Sequence, residues 1–82
     1  MIPLKKVEFD GDIYKTIRHN IRRYRKEKGV TSAWLAEVTE LSHDYVRQLQ
    51  SDSAGAGMSV ETLYKISVAL DVSIDKLIEK EK

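Results

Sequence analysis

Apolar residues recur along this chain with a helical period, and a polar cap stands ahead of each period. Ile13, Ile17, Ile21 and Tyr24 follow one another at spacings of four, four and three, one stripe of an amphipathic helix. Asp12 precedes the stripe as an N-cap and Gly29 closes it, so the pattern predicts a first helix over 13–28. Thr31 caps a second helix over 32–39, with Trp34, Leu35 and Val38 as apolar contacts. Ser42 caps a third over 43–50, with Val46 and Leu49 inward. Ser59 caps a fourth over 60–70, with Leu63, Ile66, Ala69 and Leu70 on one face. After a turn at Asp71–Val72, Ser73 caps a fifth over 74–79 that packs through Leu77 and Ile78. Between the third and fourth lies SDSAGAGMS, 51–59, a small, polar, glycine-containing loop. The period is lost at both ends. Residues 1–12 alternate only at Val7 and Phe9 and include Pro3, which suits either a short strand or an ordered arm. Residues 80–82 form a frayed, solvated tail.

Five short capped helices predict an all-α domain with a short extended N-terminal segment. A chain of 82 residues can bury one small core and no second. It has no cysteine, which excludes disulfides, thiolate metal ligands and a cysteine nucleophile. Its two histidines, His19 and His43, are too few and too far apart for a zinc site, and no cofactor is expected. No apolar run approaches the roughly 18 residues of a membrane span, and Met1–Asp12 lacks the apolar core of a signal peptide. The expectation is a soluble, cytoplasmic protein. Enzymatic chemistry is not expected either, because no nucleophile–base pair, close carboxylate pair or phosphate loop is visible. Gly55-Ala56-Gly57 follows no strand and reads as a flexible connection.

Charge changes the picture. The net charge is only +1, yet residues 1–30 carry nine Lys/Arg against four acids, while residues 31–82 carry five against nine. A near-neutral total therefore hides a basic end of +5 and an acidic remainder of −4. The basic run IRRYRKEKG is either the wet face of a helix or a surface for a polyanion.

The third helix adds weight to the second of those readings. Only Glu40–Ser42 joins it to the second, and so short a link between two short amphipathic helices is the geometry of a helix-turn-helix, whose second helix offers its outer face to the DNA major groove. At about 100° per residue, Asp44, Arg47 and Gln48 project within about 50° of the direction opposite Val46 and Leu49. His43 and Tyr45 flank that face. Arg47 has the donors for guanine O6 and N7, and Gln48 the donor and acceptor for adenine N6 and N7. Asp44 can accept from cytosine N4 or orient Arg47 three residues on. Asp44, Arg47 and Gln48 therefore carry the groove-reading chemistry of this helix. Ser42, at the helix start, is an expected phosphate contact.

The runs IRRYRKEKGVTSAWLAEVTELSHDYVRQLQS and MSVETLYKISVALDVSIDKLI resemble the lambda-repressor-like (Cro/cI, Xre) helix-turn-helix family over about residues 17–78. YRKEKG and ISVALDVS bring it nearest the SinR-like type. The resemblance implies a five-helix DNA-binding domain, usually dimeric on two half-sites and acting in transcription, here as a repressor. It places His43, Asp44, Arg47 and Gln48 at base-reading positions, and Ser32 and Ser42 at phosphate-gripping ones; flanking Tyr45 joins those phosphate contacts. The chain departs from the pattern in having Ser32 for a usual Gln, Glu40 for a usual Gly in the turn, and Gln50 for a usual Glu that pairs with the arginine of the first helix, here Arg25. The 51–58 loop also lacks the usual basic residues and proline.

Double-stranded DNA is thus the expected partner, with a protein-interaction module or antitoxin on the same fold as the alternative and a regulatory protein as a further partner. Val72, Ile74, Leu77 and Ile78 offer a homodimer interface on the fifth helix, and the Met1–Phe9 segment offers a second choice. Trp34 is either core or a contact to the DNA backbone or the partner subunit.

Overall fold

A computed structural model describes residues 7–9, 11–51 and 57–80. Among them run five helices: α1 (Ile13–Lys28), α2 (Ser32–Thr39), α3 (His43–Gln48), α4 (Val60–Leu70) and α5 (Ile74–Ile78). No strand occurs among the described residues. The expected N-terminal arm falls mostly on residues 1–6 and 10, which lie outside those described, as do residues 52–56 of the expected loop and residues 81–82 of the tail.

Each helix starts where a short polar side chain can accept a backbone N–H that the helix itself leaves unpaired. Asp12 accepts from Tyr14 N, Thr31 from Trp34 N, Ser42 from Tyr45 N, Ser59 from Thr62 N and Ser73 from Lys76 N. Three helices end on a left-handed residue. Gly29 (φ 76°) adopts this at no steric cost, but Glu40 (φ 58°) and Asp71 (φ 55°) carry a Cβ and are strained.

Two ends differ from the sequence expectation. α3 stops at Gln48 and not at residue 50, because its last turn tightens: Gln50 N donates to Arg47 O and Ser51 N to Gln48 O, both three residues back. α5 stops at Ile78, since Glu79 turns extended (ψ 130°) where a buried side chain from α1 takes up the final carbonyls.

The core is a single cluster of Ile17, Ile21, Leu35, Ala36, Val46, Leu49, Ile66, Leu70 and Leu77. α1 packs against α4 and α5, and α2 against α3 and α4. Leu77 is fully buried, so it belongs to the core and is withdrawn from the expected dimer interface; α5 needs its largest inward residue to close its own domain. Val72, Ile74 and Ile78 are half-buried. Val38, expected to face inward, is 48% exposed, because Thr39 takes the inner position and satisfies its hydroxyl on Leu35 O at 2.6 Å. Trp34 is half-buried and packs against the core's edge.

Buried polar residues are the part the apolar period misses. Asn20 is 1% exposed, and its amide nitrogen donates to Leu77 O (2.8 Å), Glu79 O (2.8 Å) and Lys76 O (3.4 Å). One side chain of α1 thereby closes the end of α5, a five-residue helix too short to hold itself together.

Candidate nucleic-acid interface

α3 has only six residues and is held from below by Val46 and Leu49, which are 0% and 4% exposed. With that side fixed, His43, Asp44, Arg47 and Gln48 are all exposed. Asp44, Arg47 and Gln48 line one shallow concavity with Ser51, while His43 lies outside it. Arg47 Nη1 stands 3.8 Å from Asp44 Oδ1, one turn away, with their side chains 67% and 87% exposed. An ion pair that open to water is worth little in stability, so it orients the guanidinium without anchoring it.

Arg47 borders a second concavity, formed with Arg22, Ser32, Gln50 and Ser51. It unites three elements: Arg22 from the middle of α1, Ser32 from the first turn of α2, and the residues that follow α3. Ser32, expected on sequence grounds, sits here. Gln50 and Ser51 were not among the expected contacts, and Arg22 entered only as one of two arginines, with Arg23, of the basic run that could touch phosphate. The signal for Arg22 was its place one turn before Arg25, but its side-chain direction depends on how α1 is seated against the other helices.

Beneath this concavity runs a chain of hydrogen bonds. Arg25 Nε donates to Gln50 Oε1 at 2.7 Å, and Arg25 Nη1 to Val30 O at 2.7 Å. Gln50 Nε2 donates to Ser32 Oγ at 3.0 Å and to Val46 O at 3.0 Å. The Gln50 amide is thus satisfied at both ends, and it ties α1, the start of α2 and the end of α3 into one rigid unit. A hydrogen bond between Arg25 and Gln50 thus stands where the resembled family usually has an ion pair.

The remaining expected phosphate contacts lie elsewhere. Ser42 is exposed and its Oγ accepts from Tyr45 N at 3.1 Å, leaving the hydroxyl proton to donate outward. Tyr45 is half-buried against the core. Arg23, from the same basic run as Arg22, pairs with Glu27 (3.6 Å) and lies over the Tyr24 ring (5.1 Å). No group of His, Asp or Glu capable of holding a metal ion occurs among the described residues. Nor is any helix among them long and apolar enough to cross a membrane.

Comparison with known proteins bears on this arrangement. A Cro/C1-type HTH DNA-binding domain model matches residues 20–82. The HTH-type transcriptional regulator SinR of Bacillus subtilis (strain 168) is 32% identical over 65 residues, covering 79% of this chain and 58% of the relative. The chain thus spans less than two thirds of the length of the curated relatives it matches. Among solved structures, the master regulator for biofilm formation SinR in complex with DNA superposes with a TM-score of 0.70 at 33% identity, covering 77% of this chain and 98% of that one. A hypothetical transcription factor NHTF from Neisseria shares the fold, with a TM-score of 0.77 at 21% identity over 98% of this chain and 88% of that one.

Proposed function

The chain belongs to the Cro/C1-type helix-turn-helix DNA-binding family, and on that premise we propose that it is a sequence-specific transcriptional regulator, a repressor that reads the major groove as a homodimer. The observation that carries this reading is the exposure of Asp44, Arg47 and Gln48 on α3, whose inner side is held by the buried Val46 and the buried C-cap Leu49. A polar face on a six-residue helix does little for the fold, yet it has the bidentate donors and acceptors that distinguish base pairs. In this reading Arg47 and Gln48 contact base edges, Asp44 orients Arg47 or accepts from cytosine, and His43 touches the flank of the site. Ser32, Ser42 and Tyr45 contact the backbone, and the duplex is met in the cytoplasm. The complex of one similar protein, SinR, with DNA supports the same partner.

The homodimer in this proposal uses Val72, Ile74 and Ile78, which remain half-exposed beside the buried Leu77. The test is selection of the purified protein against random-sequence duplexes at physiological salt. An enriched palindrome with half-sites about one helical turn apart supports a dimeric reader. Weak binding that is salt-sensitive and indifferent to sequence would sink the reading, and would favour a protein-interaction module or antitoxin with a regulatory protein as its partner.

A further inference from the structure

Gln50 points to more than a brace. Its amide orientation is fixed twice over. Arg25 Nε is a donor and requires the oxygen, and Val46 O is an acceptor and requires the nitrogen. The same nitrogen therefore must donate to Ser32 Oγ. A hydroxyl that accepts this bond keeps its own proton, and the only direction left for that proton is away from Gln50. On that outer side lies the concavity where Ser32 meets Arg22 and Arg47.

We infer that Gln50 is a positioning residue for DNA binding, which sets the direction of the Ser32 hydroxyl so that it donates to a backbone phosphate held by Arg22, beside the base-reading Arg47. The inference rests on the DNA-binding reading above and adds the source of one phosphate contact. A hydroxyl presented as a donor forms a short, charge-assisted bond to a phosphodiester oxygen, while one presented as an acceptor would repel it. The uncharged amide also leaves the Arg25 cation without a carboxylate at this contact, which favours the same anion.

The decisive substitution is Gln50→Glu. A carboxylate of the same shape keeps the bond from Arg25 but has no proton to give, so it takes the Ser32 proton inward and the outward donor is lost. Ser32→Ala is made both in the unsubstituted protein and in the Gln50→Glu variant, and all four proteins are titrated with a labelled mixed-sequence duplex over a series of salt concentrations. With Gln50 in place, Ser32→Ala lowers affinity about tenfold at every salt concentration and leaves the salt slope unchanged, because an uncharged hydroxyl neutralises no phosphate. In the Gln50→Glu variant, Ser32→Ala changes nothing further. An equal loss in both backgrounds overturns the inference. Should the Gln50→Glu variant fail to fold, Gln50→Met provides the second test. Its thioether gives Ser32 no donor, so the hydroxyl is no longer directed outward and the loss caused by Ser32→Ala shrinks to less than about threefold; a full tenfold loss in the Gln50→Met variant would also overturn the inference. Failure of the unsubstituted protein to bind any duplex would instead remove the DNA-binding reading itself.

Discussion

Two side-chain amides knit this domain together, and they differ in what they hold. Asn20 uses one nitrogen on three backbone carbonyls at the end of α5, in a place no solvent reaches. Gln50 uses both ends of its amide, and two of its partners are the side chains of Arg25 and Ser32. A bond to a carbonyl can only hold the chain in place. A bond to a hydroxyl or guanidinium also sets where that group's remaining protons and charge are directed. The end of the molecule around Asn20 is therefore structural alone, and the end around Gln50 is structural and chemical at once.

The largest expected effect comes from breaking the first of these. Asn20→Ala leaves the Leu77 and Glu79 carbonyls without their donor and opens a small cavity, a loss of roughly 2–4 kcal/mol. Urea unfolding measures it, and the affinity of the folded fraction for duplex DNA stays the same. Gln50→Ala should cost less stability, about 1–2 kcal/mol, because Arg25 keeps its bond to Val30 O. Unlike the Asn20 change, it also weakens DNA binding at temperatures where the protein is fully folded. If both substitutions spared DNA binding, the contrast between the two amides would collapse.

The basic run of α1 sharpens the contrast further. Arg22 borders the concavity with Ser32 and Arg47, whereas Arg23 pairs with Glu27 and covers Tyr24. Arg22→Ala should weaken binding to all duplexes alike and flatten the salt dependence by about one phosphate's worth. Arg23→Ala should change affinity by less than about twofold, since Arg23 does not line that concavity and is paired with Glu27. The smallest effect is at the turn. Glu40→Gly relieves a left-handed residue (φ 58°) and should raise stability by roughly 0.5–1 kcal/mol in thermal unfolding, with no change in DNA affinity.

The sequence was most informative where the physics is local. A Ser or Thr ahead of an apolar period describes one helix start, and Thr31, Ser42, Ser59 and Ser73 each cap the helix they precede. The outward face of α3 was legible for the same reason, since Val46 and Leu49 fix the inner side of a short helix. Long-range polar contacts were not legible. Asn20 meets carbonyls 56 to 59 residues away, and an asparagine beside an apolar stripe gives no sign of that partnership. Arg22 and Arg23 are neighbours of equal charge, and only the way α1 is seated in the fold tells them apart. Leu77 was read both as packing and as interface, because an apolar residue on a terminal helix suits either, and its burial keeps only the first.

If the exposed face of α3 reads base sequence, Arg47 carries most of that reading. The most direct test repeats the random-duplex selection with Arg47→Ala beside the unsubstituted protein. The account predicts that both fold equally well, and that the variant loses its preference at one base pair of each half-site, with a discrimination there reduced by about 1–3 kcal/mol. Recovery of the same motif at uniformly lower affinity would show that Arg47 touches only the backbone, and would contradict the account.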